Sequence, residues 1–342
     1  MDRKLVTIEE ILEIKPIEGA DKIEVARVRD WWVVVKKNQF KVGDLCIYYE
    51  IDSFLPVEEQ YQFLLDGNRT KRMMVDGEER EGIVLKTKRL RGQVSQGLIM
   101  PLQANTRGEV GTDLTAFLNV LKYEKPIPGC SQNLARGNFP SFLVKTDEER
   151  IQNCSKILEL FPDTKCYITE KLDGTSVTFY NWEGRFGVCS RNMDLLEGDS
   201  VYWQIAKKYD LANRLPEGLC IQGEIIGEGI QKNPLKRTGQ EFYIFNVYDI
   251  NDQRYHSYYE IEIFCNAYGM KMVPVITKDV KLSFTVDQLL DIANNTSYLN
   301  GNVLREGIVV RSMIEQRINE RNCPNRLSFK VINNEYLLKG GE

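Results

Sequence analysis

Apolar and β-branched residues come in short runs along the first third of the chain, each closed by a turn-forming residue. Ile23 to Val28, Trp31 to Val35, Leu45 to Ile51, Gly82 to Leu85 and Leu98 to Leu102 read as strands. Val42-Gly43-Asp44, Asp76-Gly77 and Arg91-Gly92 mark reversals between them. Ile8 to Glu13 reads as a short opening helix. About five strands in the first ~110 residues is the size of an OB-type barrel. One segment in it is strongly basic: Lys86-Thr87-Lys88-Arg89-Leu90-Arg91 is either a phosphate-facing stripe or a solvated strand face, the second being the commoner case by about two to one.

Lys125-Pro126-Ile127-Pro128-Gly129 breaks the pattern and reads as a connection. The organisation expected is a barrel over 1–120, a connection over 121–150 and a second domain over 151–342. In that second domain strands are expected at Cys166–Glu170, Thr175–Tyr180, Leu219–Ile226, Phe242–Tyr248, Gly307–Arg311 and Leu327–Val331. Helices are expected near Ile151–Leu160, Val201–Tyr209, Tyr259–Tyr268 and Val286–Asn294. Without regular strand–helix alternation or an internal repeat, the fold class is α+β with largely antiparallel sheets.

Composition narrows the chemistry. The 342 residues are 42% hydrophobic and 27% charged, enough apolar surface for true cores, with a net charge of -4 that leaves any nucleic-acid surface to be local. No apolar stretch is long enough for an export signal or a membrane span. Eight cysteines, none in a C-x-x-C pair, fit reduced thiols in a cytoplasmic or nuclear compartment. The single histidine, His256, removes multi-histidine metal sites, and it removes a Ser-His-Asp triad unless His256 itself serves. An isolated histidine is functional in roughly one case in ten. No Gly-Lys dipeptide occurs, so there is no Walker A loop, and Gly223, Gly227 and Gly229 have the wrong spacing for a dinucleotide fingerprint.

Phosphate chemistry therefore needs another scaffold, and Glu170-Lys171-Leu172-Asp173-Gly174-Thr175 offers one. A strand ends, an Asp-Gly turn reverses the chain, and Lys171 stands at the rim. A K-x-D-G match arises by chance in roughly one chain of this length in ten, so the segments that follow carry the weight. They are Ser190-Arg191-Asn192, Gly223-Glu224-Ile225-Ile226-Gly227, Phe242 to Val247, Glu306-Gly307-Ile308-Val309-Val310 and Ser328-Phe329-Lys330. Singly, Glu224 and Glu306 would be solvated carboxylates and Phe245 a core aromatic.

In this order the segments resemble the motifs of covalent lysyl-nucleotidyl transferases, the polynucleotide ligases and capping guanylyltransferases. Twelve residues follow Lys330, too few for the C-terminal OB domain of DNA ligases and capping enzymes. The segments Asp21–Ala26, Phe40–Glu50 and Ile51–Pro56 are similar to RNA ligases with an OB module in front. The resemblance thus implies an N-terminal OB-type β-barrel followed by a nucleotidyltransferase (adenylyltransferase) domain, acting as an ATP-dependent RNA ligase. One departure stands out: related RNA ligases often carry two lysines flanking one residue in the last motif, whereas here Ser328 holds the first place and Lys330 the second. No compensating role is assigned to Arg326.

The resemblance implies that Lys171 is the nucleophile. Glu170, Arg150, Arg191, Glu224, Phe245, Glu306 and Lys330 would bind ATP, with Phe245 stacking on adenine, Arg191 reaching ribose or phosphate, and Lys330 the α-phosphate. Arg150 is a candidate triphosphate ligand, against a surface arginine favoured about two to one. Asp173, Glu224 and Glu306 would hold a divalent metal, Mg²⁺ or Mn²⁺, through its waters. The metal and a nearby Lys330 would make Lys171 nucleophilic by disfavouring its ammonium form. The partner would be RNA with 3′-OH and 5′-phosphate ends, and the protein a monomer. A DNA ligase, a GTP-dependent capping enzyme and a non-catalytic OB-type nucleic-acid-binding protein are the rival readings.

Overall fold

The computed structural model describes residues 3–65, 70–75, 77–104, 106–124, 135–320, 323–324 and 326–340. The expected connection at 125–129 and Asp76 of one expected reversal lie outside them. The chain divides into two compact units, Met1–Pro128 and Gly129–Glu342.

The first unit is built from β1 (Val6–Glu10), β2 (Glu13–Pro16), β3 (Ile23–Val28), β4 (Trp31–Lys36), β5 (Leu45–Tyr49), β6 (Ser53–Pro56), β7 (Lys71–Val75), β8 (Glu78–Val84), β9 (Lys88–Leu90), β10 (Gln93–Ser95), β11 (Leu98–Pro101) and β12 (Leu121–Lys122). They form the sheets β1-β5-β11, β2-β3-β4, β9-β10 and β12-β6-β8-β7. Strand β5 explains the two-sided core. Ile47 and Tyr49 pack with Val6, Ile8 and Leu55, while Cys46 and Tyr48 pack with Val28, Trp31 and Val33, so both faces of the run are apolar.

Two expectations are corrected here. Ile8–Glu13 is not a helix: β1 pairs antiparallel with β5, Val6 opposite Tyr49, and β2 starts at Glu13. Its Glu-rich sequence favours helix locally, but Val6 and Ile8 are fully buried in the sheet core and Glu9 gains Arg29 as a partner, so tertiary pairing overrides propensity. More than five strands form, because charged segments such as Lys71–Val75 and Lys88–Leu90 pair through backbone hydrogen bonds without apolar alternation.

The second unit holds two sheets. One runs β13 (Ala135–Asn138), β18 (Met193–Leu195), β17 (Arg185–Cys189), β16 (Thr175–Trp182), β19 (Leu219–Gly227), β20 (Gln240–Asp249) and β21 (Arg254–Tyr255), with β22 (Lys271–Met272) added parallel to β20. Helices α3 (Val201–Lys208), α4 (Leu211–Arg214) and α5 (Tyr258–Tyr268) cover it, burying Val177, Phe179, Ile221 and Phe242. The other sheet runs β14 (Glu149–Arg150), β27 (Ser328–Ile332), β24 (Gly307–Ser312), β15 (Lys165–Lys171) and β23 (Val275–Lys281). Beneath it, Ile168, Ile308, Val310, Phe329 and Leu289 pack with α1 (Ile151–Cys154), α2 (Lys156–Leu160) and α6 (Val286–Ala293). The hairpin β25 (Asn319–Glu320) and β26 (Cys323–Pro324) and the helix α7 (Asn334–Leu338) complete the unit.

The helix expected over Ile151–Leu160 is two short ones meeting at Ser155. Segments 121–122, 135–138 and 149–150, within the stretch expected as a connection, each form a strand. No described helix is long and apolar enough to cross a membrane. Six described cysteines, Cys46, Cys154, Cys166, Cys189, Cys220 and Cys265, are free and buried.

Candidate active site

Residues 171–175 cross from one sheet of the second unit to the other. β15 ends at Lys171 and β16 begins at Thr175, so the nucleophile candidate and its Asp-Gly turn lie where the sheets meet. Gly174 is required there, because a Cβ would run into the Ile225 carbonyl oxygen of β19. Gly307 faces the same restriction against the Val331 carbonyl. Both glycines let strands close tightly beneath the charged side chains that precede them.

Around Lys171 the structure gathers three carboxylates. Lys171 Nζ donates to Glu306 Oε1 at 2.6 Å. Register explains the contact, since Lys171 pairs with Gly307 across β15 and β24. Glu224 stands opposite Ser176 on β19 and beside this pair. Burial raises its pKa to about 8, Lys171 opposes the rise, and Glu306 and Asp173 add to it. Asp173 accepts a hydrogen bond from the Tyr336 hydroxyl of α7. That helix is tied back by its cap: Asn333 donates to the Arg305 carbonyl and accepts from the Glu335 and Tyr336 amides.

A second group of charges is cationic. Asp147 bridges Arg191 (Nη2 to Oδ2, 3.4 Å) and Lys330 (Nζ to Oδ1, 3.3 Å). Arg150 pairs in register with Lys330 on the neighbouring parallel strand and is only 3% exposed, which overturns the surface-arginine reading. The strap carrying Asp147 is pinned from below. Gln222 donates to the Val144 carbonyl at 2.7 Å, the Thr146 and Ser176 hydroxyls meet at 3.3 Å, and Glu148 receives Arg311 at 2.8 Å.

Ser328 has its own place in this arrangement. Its hydroxyl accepts from Arg311 Nε at 3.1 Å, and Arg311 Nη1 donates to the Phe245 carbonyl at 3.1 Å. Although burial opposes it, Arg311 with Arg326 and Ser328 holds the Glu148 carboxyl below its usual range. Arg326 itself donates to Asn246 and Glu315 and lies over the Tyr255 ring at 4.0 Å. Its guanidinium is thus engaged in packing.

Phe245 is half-buried, not a core aromatic. It falls where the β19–β20 register shifts, Gln222 facing Asn246 and Gly223 facing Ile244, so Phe245 is the extra residue of a bulge. A bulge re-aims a side chain. The ring packs with Leu172, Ile226, Leu235, Leu299 and Val303, an apolar slot beside the Lys171 turn. Glu170 is 1% exposed; its Oε2 accepts from the Tyr298 amide at 2.8 Å and burial raises its pKa.

Lys330 pairs with Asp147, and Lys171 pairs with Glu306. An ammonium paired with a carboxylate has its lone pair committed to N–H, so attack requires that proton to leave. His256 is half-buried with its pKa lowered by burial, and takes no part in the cluster. Sequence reading missed Asp147, Glu148, Arg311 and Tyr336. The run Thr146-Asp147-Glu148-Glu149-Arg150 was the available signal for the first two.

The three carboxylates are hard oxygen donors, with Lys171 and Arg191 opposing their charge, a chemistry suited to Mg²⁺ or Mn²⁺. Among the described residues, no group of three or more His, Cys, Asp or Glu side chains is placed to hold a metal ion directly.

A lysine at a strand-to-strand turn, carboxylates and cations gathered about it and an apolar slot with an aromatic define a nucleotidyltransferase of the covalent lysyl type. An OB-fold domain model matches residues 5–102 and an RNA ligase model residues 164–332. The chain is similar over nearly its whole length to RNA ligase of Naegleria gruberi. The structure of that protein with pyrophosphate is 38% identical, covers 99% of each chain and has a TM-score of 0.86. A lysine-to-alanine variant with ATP and manganese is 38% identical over 98% of this chain and 99% of that one, TM-score 0.85. A glutamate-to-alanine variant with the same ligands is 37% identical over 99% and 100%, TM-score 0.87. A search of curated proteins gives no match. The chain belongs to the RNA ligase family, and its fold is the expected one: an N-terminal OB fold followed by a nucleotidyltransferase domain.

Proposed function

We propose that this RNA ligase uses ATP and a divalent cation to join RNA 3′-OH and 5′-phosphate ends through a lysyl-AMP at Lys171. The observation that carries the reading is the gathering of charge about the Lys171 turn. Asp173, Glu224 and Glu306 cluster with Lys171, Arg191 also acts on Glu224, and Arg191 and Lys330 share Asp147, with Arg150 in register with Lys330. A nucleotide with its metal complements both sets, anionic phosphates toward the cations and the cation toward the carboxylates. Phe245 and Leu172 then line the adenine slot, with Glu170 beneath it as a base contact.

Lys171 Nζ loses a proton to solvent and attacks the α-phosphorus; the N–P bond forms as the bond to the pyrophosphate oxygen breaks and pyrophosphate leaves. A divalent cation held by Asp173, Glu224 and Glu306 would neutralise phosphate charge. Lys330 and Arg191 stabilise the charge on the α-phosphate in the transition state, Lys330 as a point charge. The RNA 5′-phosphate next displaces Lys171 from AMP, and the 3′-OH finally attacks the adenylylated end, forming the phosphodiester and releasing AMP.

Intact mass spectrometry after incubation with ATP and Mg²⁺ or Mn²⁺ tests the reading. The protein should gain one AMP, and Lys171→Ala should gain none and seal no RNA. A normal adduct on Lys171→Ala would refute the assignment, and no adduct on the unaltered protein would favour the non-catalytic rival. We place the protein inside the cell, acting as a monomer; sedimentation with and without RNA checks the latter.

A further inference from the structure

We infer that the outer face of the β2-β3-β4 sheet, extended by the β9–β10 hairpin, is a platform for single-stranded RNA, with Trp32 as its stacking surface. The inference rests on the RNA ligase reading and adds to it where the substrate strand is held. Along β4 the two tryptophans part company. Trp31 is fully buried in the barrel core, so by strand alternation Trp32 turns outward, where it is half-buried.

Two cations frame that ring. Lys15 Nζ lies 4.5 Å from its centroid and Arg27 Cζ 5.9 Å, brought there from β2 and β3. Glu13 pairs with both, at 2.8 and 3.1 Å, and Asp30 pairs with Arg27 at 3.5 Å. Both cations lie over the ring, so an unpaired base stacks on Trp32 by displacing them, and the freed ammonium and guanidinium meet its phosphates.

The surface continues in one direction. Ser95 Oγ accepts from the Val34 amide at 3.0 Å and the Gln96 amide donates to the Trp32 carbonyl at 2.9 Å, so β10 runs alongside β4. β9 pairs with β10, and the turn between them uses left-handed backbone at Arg91 and Gly92. On this hairpin and its approach Lys86, Lys88, Arg89 and Arg91 are all exposed, four cations within six positions of a chain whose net charge is -4. Lys86–Arg91 is therefore more than a solvated face: it lengthens an aromatic-centred cationic surface along which a phosphate backbone can run. A duplex offers no free base to Trp32, and a protein partner would not call for a row of like charge beside one half-buried indole.

The test uses the full chain and a short 5′-phosphorylated single-stranded oligoribonucleotide, with affinity read by fluorescence anisotropy across a salt series. The triple variant Lys88→Ala, Arg89→Ala, Arg91→Ala should lower the slope of log affinity on log salt by about two. Trp32→Ala should weaken binding roughly tenfold at fixed salt with little change of slope, and Trp32→Phe should recover part of it. Both should form lysyl-AMP to the extent of the unaltered protein. Unchanged affinity and slope in both variants would overturn the inference. So would loss of lysyl-AMP formation in them, since the face would then serve the nucleotide step. Absence of lysyl-AMP in the unaltered protein would count against the proposed reaction alone, while the anisotropy series still reads this surface.

Discussion

Two charged clusters, one in each unit, are built from the same residue types and balanced differently. In the first unit Arg29 donates to Glu9 (2.5 Å), Glu50 (3.1 Å) and Thr7 (2.9 Å), and Arg3 reaches Glu50 at 2.7 Å. Two arginines meet two glutamates, and both glutamates are at least 95% buried. In the second unit one lysine faces Asp173, Glu224 and Glu306. A balanced cluster holds a fold together and asks for nothing further. An unbalanced one must be relieved by a proton, as at Glu224, or by an added cation, which is a physical mark of a binding site.

The largest expected effect separates charge from nucleophilicity within the unbalanced cluster. Lys171→Arg keeps a positive group beside Glu306, but a guanidinium stays protonated and does not attack phosphorus. Adduct formation should fall by about four orders of magnitude or more, while the denaturation midpoint stays close to that of the unaltered protein. A measurable adduct on Lys171→Arg, mapped to another residue, would place the nucleophile elsewhere.

Next in size is a break in the balanced cluster. Although burial opposes it, Glu9 and Glu50 hold the Arg29 guanidinium more firmly charged than usual. Arg29→Met leaves Glu9 and Glu50 buried without that partner and should cost about 3–5 kcal/mol of stability, read by urea denaturation. A neutral result would mean water or rearrangement satisfies these acids and would erase the contrast drawn above.

A smaller effect is expected at Tyr336, whose hydroxyl donates to Asp173 and orients it. Removing its hydroxyl by Tyr336→Phe should cost about 1–2 kcal/mol in the arrangement of the carboxylates. It should appear as a raised metal concentration for half-maximal adduct formation, with the rate at saturating metal close to normal. An equal loss at every metal concentration would assign Tyr336 a direct part in the chemistry.

These variants also show what the sequence could and could not reveal. Asp173, Glu224 and Glu306 each stand beside a glycine, but singly that signal is weak; they and Lys171 were legible because their segments follow one another in the order of a known set of motifs, which survives without any knowledge of packing. Most of the strands and helices of the second unit were legible because their periodicity is local. Tyr336 and Asp173 lie 163 positions apart, as do Arg311 and Glu148, and Lys330 and Asp147 are 183 apart. No spacing rule joins such pairs; sheet register does. The stretch 121–150 looked like a connection because its strands are two to four residues long, too short to show alternation. The opening segment was misread because Glu9 in a strand is tolerable only once Arg29 is known to face it.

The gentlest test asks whether the acidic excess is felt without substrate, in protein freed of metal by chelator. The folded state holds the Glu224 proton up to about pH 8, whereas the unfolded chain releases it near the ordinary carboxylate value of about 4.3. Below that value both states are protonated and the group contributes no slope. Between the two values only the folded protein keeps the proton, so stability should decline as pH rises, by at most about 1.4 kcal/mol per unit, and the decline should end above pH 8. Glu148, held low by its arginines, acts with the opposite sign, and its contribution is lost as pH falls through its depressed range. Urea denaturation from pH 5 to 9 should therefore show a falling limb that Glu224→Gln flattens and Glu148→Gln leaves in place. Saturating Mg²⁺ should flatten it too, because a cation beside the carboxylates replaces the proton. If Glu224→Gln keeps the full slope, the excess charge is relieved at another residue, and the contrast between the two clusters has to be redrawn around that residue.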